Sequence, residues 1–218
     1  MQFPRLAIVD LETTGADPSR DRITEIAILL TDGNTLLETW SSLVNPGIPI
    51  PARIQTLIGI TDAMVADAPA FAEIADIVRA KLSDAVFVAH NARFDYGFLR
   101  AAFEAERMPW DAPVMCSVKF SRALDPEHSR HGLDALIARG GYTIDARHRA
   151  LDDAQIVWRF LQDAQTRADG PRLQKAWDKA YSTGTVPRLP RGDLEALPDC
   201  PGAYVFRGAT GQILQIGR

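Results

Sequence analysis

The chain has 218 residues, 46% hydrophobic and 24% charged, with a formal net charge of −4. That suits one globular core plus a small appendage, and no apolar run approaches the roughly 18–20 residues of a membrane span, nor does a signal-peptide pattern open the chain. The acidic balance argues against gripping nucleic acid by bulk positive charge, while the widely separated Cys116 and Cys200 suggest a reducing, cytoplasmic setting and not a disulfide framework.

The apolar run Leu6-Ala7-Ile8-Val9, followed by Asp10-Leu11-Glu12 and the turn residues Thr13-Thr14-Gly15, predicts a buried central strand. Side chains alternate along a strand, so Asp10 and Glu12 project to the same side. Two such carboxylates repel and lose solvation, which calls for a proton, a cationic side chain or a bound cation. Residues 23–31 predict a second strand, Asp32-Gly33-Asn34 a hairpin turn, and residues 35–44 a third strand. Asn45-Pro46-Gly47 breaks the sheet, and residues 69–82 show helical spacing. A fourth strand is expected over 85–89, a helix over 92–106 with Asn91 as its N-cap, and a short fifth strand over 114–116. Helices follow over 133–139, closed by Gly140-Gly141, over 150–165 and over 171–181. Antiparallel strands giving way to alternating helix and strand imply an α/β fold, a mixed sheet flanked by helices. Residues 182–198, rich in Gly, Pro and charge, read as a linker. Beyond them, 202–206 and 212–216 suggest two strands of a hairpin, seldom stable alone, so this tail reads as the start of an interrupted domain.

Two further carboxylates sit where packing does not want them. Asp95 precedes Phe98, Leu99 and Ala102 on one helical stripe, where a dry, unpaired charge is costly. Asp153 shares its face with Ile156, Val157, Phe160 and Leu161, whereas Asp152 is rotated about 100° away towards Arg159. His148, on the loop before this helix, titrates near neutrality and is suited to taking a proton from water. Each residue also has an ordinary explanation when taken alone. Asp95 and Asp153 lie in first turns favoured by the helix dipole, Phe94 suits the core, and Glu25 inside the second strand is expected to pair with a basic neighbour.

Three segments in order resemble the DEDDh, or DnaQ-like, 3′–5′ exonuclease superfamily, typified by the proofreading epsilon subunit of bacterial DNA polymerase III. They are Val9-Asp10-Leu11-Glu12-Thr13-Thr14-Gly15, His90-Asn91-Ala92-Arg93-Phe94-Asp95 and His148-Arg149-Ala150-Leu151-Asp152-Asp153-Ala154. Gly59-Ile60-Thr61 and Cys116-Ser117 resemble secondary landmarks, although Ile58 stands where relatives often carry histidine. The resemblance implies a ribonuclease H-like fold over residues 1–168, a helix and linker over 169–198, and a separate tail from 199. It further implies that Asp10, Glu12, Asp95 and Asp153 hold two divalent cations, Mg²⁺ or Mn²⁺, and that His148 is the general base. Thr13 and Thr14 would contact the terminal sugar, and Asn91 and Phe94 would line the substrate groove. The implied substrate is a single-stranded or frayed DNA 3′ end, releasing nucleoside 5′-monophosphates, with a polymerase or repair complex as partner and no membrane. Short RNA as substrate, or a non-cleaving scaffold of the same fold, are the competing expectations. Lys119, Arg122, Arg130, Arg139, Arg147 and Arg149 are candidates to track phosphates.

The tail, Leu197-Pro198-Asp199-Cys200-Pro201-Gly202-Ala203-Tyr204-Val205-Phe206 with Gln215-Ile216-Gly217-Arg218, resembles the opening of a GIY-YIG nuclease domain. Tyr204 fits that pattern's first tyrosine and Gln215 replaces its second. The fragment alone is expected to have no nuclease activity and to mark a fused, repair-type protein.

Overall fold

Three antiparallel strands open the chain, and the first is the one that carries Asp10 and Glu12. The computed structural model describes residues 1–143, 149–183, 202, 204–208 and 212–217. Its opening strands are β1 (Leu6–Thr13), β2 (Ile23–Thr31) and β3 (Leu36–Leu43). The turn between β2 and β3 needs a glycine. Gly33 has φ +96°, and a Cβ there would lie 2.0 Å from the Phe3 carbonyl oxygen. β2 is buried along its whole length, so its Ile- and Leu-rich sequence is covered on both faces.

β4 (Val86–Ala89) and β5 (Val114–Cys116) join parallel to β1, and β6 (Tyr181–Ser182) closes the edge antiparallel to β5. The six-stranded order is β3-β2-β1-β4-β5-β6. Between β3 and β4 lie α1 (Ala52–Ile58), α2 (Asp62–Val65) and α3 (Phe71–Leu82); α4 (Arg93–Ala105) crosses from β4 to β5. After β5 come α5 (Ser117–Leu124), α6 (Leu133–Gly140), α7 (Ala150–Arg167) and α8 (Gly170–Ala180). The expected mixed sheet flanked by helices is therefore present.

The alternation of β1 divides the core into two layers. Leu6 and Ile8 pack with Ala27 and Leu29 of β2 against residues of α5 to α8. Ala7, Val9 and Leu11 pack with Ile26, Ile28 and Leu30 against α3 and α4. Asp10 and Glu12 continue the first series, so they leave the sheet on the α7 side.

Several elements differ from expectation. α1 and α2 are too short to show periodicity; the Gln55 amide ties them together by donating to the Ile50 carbonyl and to Asp62. α5 reads as polar, but it buries Phe120 and Leu124 and places Ser117 and Ser121 where their hydroxyls are used. Asn91 does not cap α4. It adopts a left-handed backbone (φ +70°), Ala92 takes the cap position, and the Asn91 carbonyl accepts from the Phe94 amide. An N-cap side chain normally works from an extended backbone, which Asn91 does not have.

The chain separates into two compact units, Met1–Thr185 and Val186–Arg218. α8 and β6 belong to the first: Leu173, Ala176, Trp177 and Ala180 are core residues, and Trp177 meets Phe3 at 5.4 Å between ring centroids. In the second, β7 (Tyr204–Arg207) and β8 (Ile213–Gly217) form an antiparallel hairpin with Tyr204 opposite Gly217.

Candidate active site

β1 outruns its parallel neighbour. Ile8 is its last residue paired with β4, whereas β1 continues to Thr13 alongside β2. Asp10 and Glu12 occupy this overhang, half-buried. α7 arrives on the same side and presents Asp153 from its first turn, 6% exposed. Oxygens of Asp10, Glu12 and Asp153 all lie within 4.8 Å of one another. Asp152 stays half-buried outside the cluster, as the helical phase requires.

Asp95 is not part of that cluster. It projects from the first turn of α4, in the opposite helical layer, and is 3% exposed. The amides of Asp95 itself and of Leu11, the residue between Asp10 and Glu12, favour its charged form. Burial pushes the Asp95 carboxyl up to about 7, against the opposing effect of those two amides. Asp95 thus lies close enough to β1 for the Leu11 amide to act on its carboxyl.

The expected substrate residues have structural duties of their own. The Thr13 hydroxyl donates to the Gly15 carbonyl (2.6 Å). The Thr14 hydroxyl accepts from the Arg22 amide (3.0 Å) and donates weakly to Asp21 (3.4 Å), closing the β1–β2 loop. Asn91 is exposed, and Phe94 is half-buried with its ring 4.9 Å from that of Phe98. His148 and Arg147 lie outside the described residues. Among the other basic candidates, Arg139 donates to the Ser121 hydroxyl and Arg149 to Glu25, whereas Lys119, Arg122 and Arg130 are exposed.

The residue that composition alone undervalued is Glu25. It lies on β2 directly across from Glu12 and is buried. Arg149 Nε donates to both of its oxygens at 3.1 Å, Arg149 Nη2 donates to Oε1 at 2.7 Å, and the Ala150 amide donates to Oε2 at 3.0 Å. The strand register across the hairpin was the signal for Glu25. Nothing local marked Arg149, 124 positions away, as its partner. His90 was likewise only a motif letter; its Nδ1 meets the Ser117 hydroxyl at 2.9 Å, which in turn donates to the Ala89 carbonyl. That link ties the end of β4 to α5.

A helix-flanked mixed sheet with carboxylates gathered at the overhang of its central strand is the arrangement of a phosphodiester-cleaving nuclease fold, and known proteins agree. The exonuclease family model (RNase T) matches residues 7–161. A Mycobacterium tuberculosis protein provisionally named a bifunctional exonuclease/endonuclease is 36% identical over 96% of this chain and 34% of its own length. A DNA polymerase III epsilon-like protein of Rhodobacter capsulatus is 43% identical over 67% of this chain and 21% of its own. Among solved structures, exonuclease X in complex with 5′-overhanging duplex DNA aligns at TM-score 0.62 and 30% identity, covering 79% of this chain and 98% of that one. Exonuclease I shares the fold at TM-score 0.67 and 19% identity, covering 78% of this chain and 42% of its own. The chain belongs to this DnaQ-like exonuclease family. It spans about a third or less of the length of the curated relatives it matches.

Proposed function

We propose that the first unit is a metal-dependent 3′–5′ exonuclease that removes nucleoside 5′-monophosphates from DNA 3′ ends. The observation that carries this is the convergence of Asp10, Glu12 and Asp153 from a strand overhang and a helix turn within 4.8 Å. Such a set of carboxylate oxygens suits hard divalent cations such as Mg²⁺ or Mn²⁺ better than softer metals. Asp10, Glu12 and Asp153 would hold two of them, together with Asp95 from the other layer. When bound, they would supply Lewis-acid stabilisation of charge on the phosphodiester and a more acidic attacking water.

The remaining work falls to the chain. β1 and α7 orient the ligating oxygens, so their geometry is set before substrate arrives. His148, two positions before α7 in the sequence, would take the proton of the attacking water. Backbone groups at Thr13 and Thr14 would contact the terminal sugar, and Asn91 and Phe94 would line the groove that holds the last nucleotide. DNA is favoured over RNA because relatives carry DNA polymerase III names and exonuclease X was captured on DNA. The same proposal makes the second unit the opening of a GIY-YIG-like nuclease domain in a longer repair-type protein. Support comes from the similarity to the M. tuberculosis protein, which takes in 96% of this chain and so reaches the tail.

The test is incubation of 3′-labelled and 5′-labelled DNA and RNA strands with Mg²⁺, Mn²⁺ or EDTA. Mononucleotide release from DNA 3′ ends, lost in EDTA, is expected. Release from 5′ ends, products unaffected by EDTA, or preference for RNA would each refute the corresponding part.

A further inference from the structure

We infer that Glu25 and Arg149 are positioning residues of this site, a brace anchored on the buried Glu25 that fixes the first turn of α7, and hence Asp153, against the carboxylates of β1. This rests on the exonuclease proposal above. Glu12 and Glu25 face each other across the β1–β2 pair. Directly opposed like charges destabilise a sheet unless something intervenes. Arg149 intervenes. Its guanidinium makes a two-pronged contact with Glu25, whose side chain is 4% exposed, while its own side chain remains 40% exposed. The hydrogen bonds to Glu25 hold the Arg149 guanidinium above its ordinary pKa against the opposing effect of burial, and the charges of Glu25, Asp152 and Glu12 act in the same direction. The cation thus contacts Glu25 directly, and its charge interacts favourably with Glu12 as well.

The brace is also continuous with the backbone that carries Asp153. α7 has no side-chain cap of its own; Arg149 occupies the cap position in an extended conformation. Glu25, from another strand, supplies the missing acceptor by taking the Ala150 amide. The Arg149 carbonyl then accepts from the Asp153 amide at 3.1 Å. One residue is thus gripped by its side chain at β2 and by its backbone in the turn that aims Asp153. Groups that orient ligating side chains in this way commonly influence metal affinity and rate by about 10–100-fold without touching the metal. Lysine cannot reproduce the planar fork, although it keeps the charge.

The experiment uses the full chain and the variants Arg149→Lys, Glu25→Gln and the double variant. Three quantities are read: Mn²⁺ affinity by calorimetry on the metal-free protein, kcat and KM on a labelled single strand, and melting temperature. Each folded single variant is expected to bind Mn²⁺ about 10-fold more weakly and to lose about 10-fold in kcat, with KM changed by less than about twofold. The double variant should lose about as much as either single, because the two residues act as one unit. Unchanged Mn²⁺ affinity and kcat in the variants, or a drop in melting temperature alone, overturns the inference, as do losses that multiply in the double variant. If Glu25→Gln fails to fold, Arg149→Lys decides by the same criteria, since its half-exposed site tolerates the change. A wild-type chain that neither binds Mn²⁺ nor releases nucleotides overturns the exonuclease proposal and this inference with it. A normal wild type with indifferent variants overturns only the inference.

Discussion

Asp10 and His148 are assigned different tasks, so their substitutions should fail differently. Asp10→Ala removes a member of the converging cluster and should abolish both Mn²⁺ binding and nucleotide release. His148→Ala should keep metal affinity yet lose on the order of 10²–10⁴ in rate, the usual worth of a general base. Calorimetry beside single-turnover assays separates the two; a metal-binding, active Asp10→Ala would contradict the assignment. Asp95 offers a third test, because it is almost fully buried and burial raises its carboxyl pKa. Asp95→Asn relieves the cost of burying that charge, so in EDTA at neutral pH the variant should melt above wild type while losing turnover. Thermal melts with and without Mn²⁺ check it. The neutral variant should also gain less from added metal.

At the level of elements, α5, α7 and α8 are joined through one buried carboxylate. Asp125 follows α5, is 1% exposed, and accepts from both Arg167 of α7 (2.7 and 2.6 Å) and Arg172 of α8 (3.4 Å). Burial alone would raise its pKa, but the Arg167 hydrogen bonds and the charges of Arg167, Arg139 and Arg172 outweigh it and hold the carboxyl below its usual range. The stabilisation is complete above the unfolded carboxyl value of about 4 and disappears as pH falls through the lower folded value. Because both arginines are half-exposed and can rehydrate, Asp125→Asn should cost about 2–3 kcal/mol, less than a fully buried pair would. Urea denaturation from about pH 5 to 2 should show wild type losing stability more steeply than the variant. Parallel curves would exclude Asp125 from acid unfolding.

For the molecule as a whole, the decisive boundary lies after β6. Residues 1–185 form one compact unit, in which α8 contributes Leu173 and Trp177 to the core and β6 pairs with β5. A chain of residues 1–185 should therefore fold and keep the exonuclease activity of the full chain. Ending at 168 removes two large buried side chains worth about 1.5–3 kcal/mol each and uncovers the β5 edge. That shorter chain should be less stable by at least about 3–6 kcal/mol and prone to aggregate. Melting temperature and size-exclusion profile distinguish the two; equal stability would mean that α8 packs without contributing.

Local pattern was enough for much of this. The strand ending at Asp10 and Glu12, the helical phase that selects Asp153 over Asp152, and the hairpin turn at Gly33 each depend on spacings of a few residues, which a sequence displays directly. Short elements escaped because a seven-residue α1 or a two-residue β6 has no period to detect. The β2 register marked Glu25, but its union with Arg149 needed the folded chain, since a pairing across 124 positions leaves no local trace. Asp95 illustrates the same division. Its place on an apolar stripe is written in the sequence, whereas its nearness to the Leu11 amide, 84 positions earlier, arises only when α4 packs beside β1 in the folded chain.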